Sequence, residues 1–246
     1  MNIEGCVALV TGANRGLGRA YADVLLANAA AKVYAAARDP AAISDARLTP
    51  ICLDVTSPTD IAAAVKACPD VNLLINNAGV MLKSPMLAEG SENALRREME
   101  VNVYGVLAMM RAFAPVLARN GGGAIVNMLS VVSWFVNPLN ATYCASKHAA
   151  LAVTDAARIQ LRAQGTQVVG VYAGFIDTDM AARVDAPKTS PRHVAERALE
   201  GLRNGLNHVM ADDDARDTRV ALLADPAAVE AKMQKAWEQG VSPWSA

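Results

Sequence analysis

Three histidines in 246 residues, at positions 148, 193 and 208, are too few and too far apart to build a metal site. The four cysteines (Cys6, Cys52, Cys68, Cys144) show no CxxC or other ligand spacing and read as free thiols of a reducing, cytoplasmic compartment. Neither sign of charge dominates: 23 basic residues stand against 24 acidic ones, so nothing points to nucleic acid or to a membrane surface as a partner. No run of 18 uncharged apolar residues exists, so no spanning segment is expected. The opening "MNIEGCVALV" carries an acid and no basic region, unlike a signal peptide. Repeats, low-complexity tracts and linkers are also missing. One domain over residues 1–246 is therefore expected, with its core at about 5–205 and a divergent strand and helical tail at about 207–246.

What is present is apolar and alternating, at 53% hydrophobic residues. Short β-branched runs at 6–11, 32–37, 48–55, 71–78, 123–130, 166–173 and 207–212 predict strands, most of them apolar on both faces. Helical patterns fall near 16–29, 57–67, 92–119, 142–164 and 191–205. This alternation predicts an α/β fold with a doubly wound, Rossmann-like parallel sheet of about seven strands.

The first strand runs into "TGANRGLG", with Gly12, Gly16 and Gly18 spaced GxxxGxG at the mouth of a helix. Such a loop brings backbone close to a pyrophosphate at the positive end of a helix. Taken alone, three glycines there are also compatible with a plain turn. The second strand ends "YAAARDP", where an NAD site would show an acid. Here an uncharged Ala37 is followed by Arg38, which suits the 2′-phosphate of NADP, and Arg15 beside Gly16 offers a second positive charge to the same phosphate. Two solvated surface arginines are the bland alternative.

With "NNAG" at 76–79 and "YCASK" at 143–147, these motifs together resemble the classical short-chain dehydrogenase/reductase family over about residues 5–205. The resemblance implies a catalytic set of Asn102, Ser130, Tyr143 and Lys147, with Ser130 placed 13 residues before Tyr143. Tyr143 would be the general acid and base of a ketone reduction. A free phenol, with a pKa near 10, is too weak an acid for that work, and a cation four residues on, Lys147, would lower it. Lys147 would also bind the nicotinamide ribose, Ser130 would hold the carbonyl oxygen, and Asn102 would support a water in the proton relay.

Further cofactor contacts are implied at Asn14, Leu17, Asp54, Val55, Asn77, Ala78, Gly79, Gly174, Ile176 and Thr178. Ala173 stands where the family usually has proline, which puts the stiffness of that turn in question. Met81, Val132, Trp134, Phe135, Phe175 and Met180 fall where the family builds its substrate pocket, although Trp134 and Phe135 are equally compatible with core or interface packing. Cys144 and His148 read as structural, and "DDD" at 212–214 as a solvated loop. In the tail, Asp225–Pro226 starts a helix whose Val229, Met233 and Trp237 form an apolar stripe.

The resulting expectation is a cytoplasmic, NADP(H)-dependent carbonyl reductase or alcohol dehydrogenase acting on an apolar ketone or aldehyde, as a homodimer or homotetramer. The alternatives are a catalytically silent NADP(H) sensor, which would need no proton donor, and an NAD-preferring alcohol dehydrogenase. An epimerase or dehydratase would need a longer substrate domain.

Overall fold

Seven parallel strands form one sheet in the computed structural model, which describes residues 1–240. They are β1 (Val7–Thr11), β2 (Lys32–Ala37), β3 (Thr49–Cys52), β4 (Leu73–Asn76), β5 (Ala124–Met128), β6 (Gln167–Tyr172) and β7 (His208–Met210), in the order β3-β2-β1-β4-β5-β6-β7. The doubly wound sheet follows as expected from strands apolar on both faces. In β1, Ala8 and Val10 face one helix layer while Leu9 faces the other. The order reverses between β1 and β4, which opens a crevice at the carboxyl ends of the strands.

Helices α1 (Gly16–Ala27) and α6 (Pro191–Arg203) cover one face; α2 (Pro58–Ala67), α4 (Val106–Arg119) and α5 (Ala141–Gln160) cover the other. Edge strand β3 is shorter than the sequence pattern suggests. Beyond Leu53 the backbone turns away, because Asp60 accepts the Asp54 N–H and Ser57 caps α2. Helix α5 likewise stops at Gln160, where a 3-10 turn and left-handed Gly165 (φ +78°) end it.

The expected single helix at 92–119 is interrupted. Helix α3 (Ser91–Met99) passes into a π-helical turn, Glu100–Gly105, before α4 begins. Asn102 lies inside that turn, and Gly105 allows it to close on Val55, whose side chain a Cβ would meet at 2.9 Å. The helical run 91–119 contains a stretch long and apolar enough, by length and composition, to cross a membrane; 50% of that window is buried inside the fold.

The tail departs furthest from expectation. "DDD" is no loop: Asp212 caps a further helix, α7 (Asp213–Ala224), by accepting the Ala215 N–H, and Asp213 and Asp214 occupy its positively polarised first turn. Helix α8 (Pro226–Gln239) starts at Asp225 as expected. Its inward stripe is Val229, partly buried, with Met233 and Ala236, which are buried, whereas Trp237 is 49% exposed; the helix packs on the 138–140 turn. Residues 241–246 of the expected tail lie outside the described residues.

Candidate active site

The carboxyl ends of β1, β2, β4, β5 and β6 surround a cavity of about 530 Å³. Its first wall is backbone. Gly12 (φ +67°) and Gly16 (φ +55°) hold left-handed conformations, and a side chain on Gly18 would collide with the Gly12 carbonyl. Arg15 is the N-cap of α1 but provides no side-chain bond to it, so the first N–H groups of α1 have no side-chain cap. This uncapped, glycine-lined cradle fits a pyrophosphate. Thr11 braces it: its hydroxyl accepts the N–H groups of Asn77 and Ala78, each at 3.0 Å, while the Asn77 amide donates back to the Thr11 carbonyl at 2.9 Å.

Gly12, Asn14, Arg15, Gly16, Leu17 and Gly18 all line the cavity. Arg38, Asp54, Val55, Asn77, Ala78 and Gly79 line it as well. So do Gly174, Ile176 and Thr178, the last lying against Gly16. Asp54 is held below the usual carboxylate range, first by hydrogen bonds from the Thr56 backbone and side chain and further by the nearby Arg38 charge. Arg15 departs from the sequence reading. Rather than standing open to a phosphate, its guanidinium donates to Asp179 at 2.6 Å.

Ser130, Tyr143 and Lys147 line the same cavity. Ser130 follows β5 and caps a short 3-10 turn, its Oγ accepting the Val132 N–H. Tyr143 and Lys147 lie one turn apart on α5. Lys147 Nζ donates to the Met128 carbonyl of β5 at 2.8 Å and sits 5.6 Å from the centre of the Tyr143 ring. Burial pushes its pKa down to about 8. Burial also pushes the Tyr143 hydroxyl above its ordinary value, reinforced by Cys144 and Glu98 and partly opposed by a hydrogen bond with Ser130. Desolvation is the largest influence on both groups, and one donor of the lysine is taken by the β5 carbonyl.

Asn102 does not line the cavity. It is 1% exposed: Oδ1 accepts the Val80 N–H, while Nδ2 donates to the Val80 carbonyl and to Ser146 Oγ. Both amide protons are engaged within the fold, so its side chain clamps the turn after Gly79.

Of the expected substrate-pocket residues, Met81, Val132, Phe175 and Met180 line the cavity. Trp134 and Phe135 do not. Trp134 stacks on Tyr172 with ring centres 4.2 Å apart, and Arg219 of α7 lies over it at 5.2 Å. Phe135 is buried with Met233 of α8 in a separate apolar cluster. Cys144 is buried, its thiol pushed up to about 12, and its carbonyl pairs with His148 Nδ1; both residues are structural.

Sequence reasoning missed three residues here. Asp212, 4% exposed, accepts the Gly174 N–H at 2.9 Å and so braces the turn that lacks its proline. Its signal was visible as an aspartate ahead of two more acids at a helix start. Asp214 reaches the cavity beside Gly174. Glu98, fully buried, accepts the Leu82 N–H at 2.7 Å and holds the chain next to Met81; nothing in its local pattern announced it.

Known proteins share this arrangement. A family model described as short chain dehydrogenase matches residues 6–189. The structure of a short chain dehydrogenase from Burkholderia cenocepacia J2315 in complex with NADP is 42% identical, with a TM-score of 0.91 over 95% of this chain and 99% of that one. A 3-ketoacyl-(acyl-carrier-protein) reductase from Brucella melitensis complexed with NADH is 28% identical, with a TM-score of 0.75 over 84% of this chain and 96% of that one. Galactitol 2-dehydrogenase of Agrobacterium fabrum is 33% identical over 83% of this chain and 80% of its own length.

Proposed function

Because the chain belongs to the short-chain dehydrogenase/reductase family of oxidoreductases, we propose that it interconverts a ketone or aldehyde and the corresponding alcohol with NADP(H). One observation carries this reading. One cavity is lined by the uncapped start of α1, by Arg38 after β2 and by Ser130, Tyr143 and Lys147, with β1 and β4 standing between β2 and β5 in the sheet.

When bound, the nicotinamide cofactor supplies or accepts the hydride. The chain's own residues handle the proton and the geometry. The Tyr143 hydroxyl is protonated at neutral pH, the form that donates to a carbonyl oxygen as it gains charge, and the ammonium of Lys147 one turn away favours the phenolate left behind. Ser130, beside it, supplies a second donor that orients that oxygen. Lys147, at about 8, is close to the pH at which it exchanges a proton, which suits it to reload the tyrosine and to bond a ribose hydroxyl. Asn102 shapes the floor beneath them. Met81, Val132, Phe175 and Met180 favour an apolar group on the substrate.

Arg38 makes no ion pair among the described residues and stands at the tip of β2, which supports NADP over NAD. The Burkholderia neighbour holds NADP and the Brucella neighbour NADH, so the family accommodates both. We also assign a homodimer or homotetramer, since Tyr104 and Ile159 of the 100–119 and α5 layer are exposed. A cytoplasmic setting is assigned from the four free cysteines.

The test is a panel of ketones and alcohols followed by nicotinamide absorbance with each cofactor. Tyr143→Phe is expected to keep NADPH binding while turnover falls by roughly two or more orders of magnitude. Near-normal turnover in that variant overturns the assignment of the acid.

A further inference from the structure

Asp179 belongs to none of the motifs that point to a cofactor, yet it stands on the cofactor's proposed path. It opens the 3-10 turn Asp179–Ala181 after β6 and, like Arg15, lines the cavity. The pair closes a contact between residues 164 apart in sequence, with an N–O distance of 2.6 Å. The backbone imposes the approach: a Cβ on Gly16 would stand 3.2 Å from Thr178, so the neighbours Arg15 and Asp179 are held face to face across the same seam. Both side chains are largely in water, 72% and 73% exposed, so the pair contributes little to folding. Its effect falls on the availability of a cation.

We propose that Asp179 is a cofactor-specificity determinant: by holding Arg15 it leaves recognition of the 2′-phosphate to Arg38 and keeps the preference for NADPH over NADH below what two arginines would supply. The inference rests on the reading of Arg38 given above. A 2′-phosphate that recruits Arg15 must break the ion pair, and it then faces the released carboxylate of Asp179, a like charge. Both penalties apply only to a cofactor that carries the phosphate.

The experiment measures dissociation constants of NADPH and NADH by cofactor fluorescence, on the full chain, for the parent and for Asp179→Asn, Arg15→Gln, the double variant and Arg38→Gln. Asp179→Asn is expected to tighten NADPH about twofold to fivefold, the range of an exposed ion pair, and to leave NADH unchanged. Asp179→Glu, which keeps the charge, is expected to stay near the parent. In the double variant the gain disappears. An equal gain for both cofactors overturns the proposal, because Arg15 would then serve the pyrophosphate they share. No change in either also overturns it. Arg38→Gln tests the underlying reading separately: an NADPH preference that survives it refutes the role of Arg38, while the parent-to-Asp179→Asn comparison still decides the role of Asp179.

Discussion

The wall that carries Gly12, Gly16 and Gly18 and the opposite wall, from Val131 to Asn140 with the tail behind it, enclose one cavity by different means. The first is made of backbone. Positive φ angles and the close approach of Gly18 to the Gly12 carbonyl shape it, and Thr11 and Asn77 tie it to the neighbouring strand. The second is made of side chains brought from afar: Asp212 on Gly174, Arg219 on Trp134, Met233 beside Phe135. Geometry set by backbone demands particular residues at particular spacings, so it leaves a motif. Geometry set by packing accepts many residues and leaves none.

Asp212→Ala should break the second wall most. It removes the cap of α7, worth about 1 kcal/mol, and leaves the Gly174 N–H without its acceptor, worth about 1–3 kcal/mol more. Urea unfolding is expected to show a loss of about 2–4 kcal/mol, with weaker cofactor binding because Gly174 lines the cavity. A variant as stable as the parent would mean that the turn after β6 stands without the tail.

Lys147→Met sharpens the contrast at the seam between the two walls. Burial lowers the lysine from 10.5 to about 8. Below about pH 8 the lysine is charged in both folded and unfolded chains, and the full burial penalty is felt. Between about 8 and 10.5 the unfolded chain holds a proton that the folded chain has released, so parent stability rises with pH across that window. The methionine variant is expected to be more stable than the parent at pH 7, by on the order of 2 kcal/mol, and inactive. Its advantage should shrink as pH climbs through the window. A pH-independent difference in thermal or urea unfolding would show that the lysine carries no such penalty.

Arg219→Ala should have the smallest effect, about 0.5–1 kcal/mol from the lost cation–π contact with Trp134. Tryptophan emission is expected to shift and substrate KM to change, while NADPH affinity holds. An altered NADPH affinity with unchanged KM would place Arg219 with the first wall instead.

Much of the fold was legible because strands apolar on both faces and helices in alternation leave few topologies. The glycine loop was legible for the backbone reason just given, and the other cofactor positions implied by the resemblance, as far as Thr178, line the same cavity. What the sequence left open shares a cause. Trp134 and Phe135 were compatible with the pocket or with core packing, and an aromatic ring turns toward whatever packs best, here Tyr172 and the tail helices. Asn102 reads in sequence as a weak helix former, and only the π turn shows that its amide is spent on Val80 and Ser146.

By itself, the sequence determined the parallel sheet, the phosphate-type cradle and the pairing of Tyr143 with Lys147 on one helix face. These depend on periodicity, on glycine's access to positive φ and on i,i+4 spacing, all local properties of the chain. Only the tertiary structure decided that Arg15 is held by Asp179, that Lys147 is buried and bonded to the Met128 carbonyl, and that Asp212 braces Gly174. Each of those depends on charges and donors that meet across long loops and on the water excluded between them. Neither quantity is written in the spacing of residues along a chain.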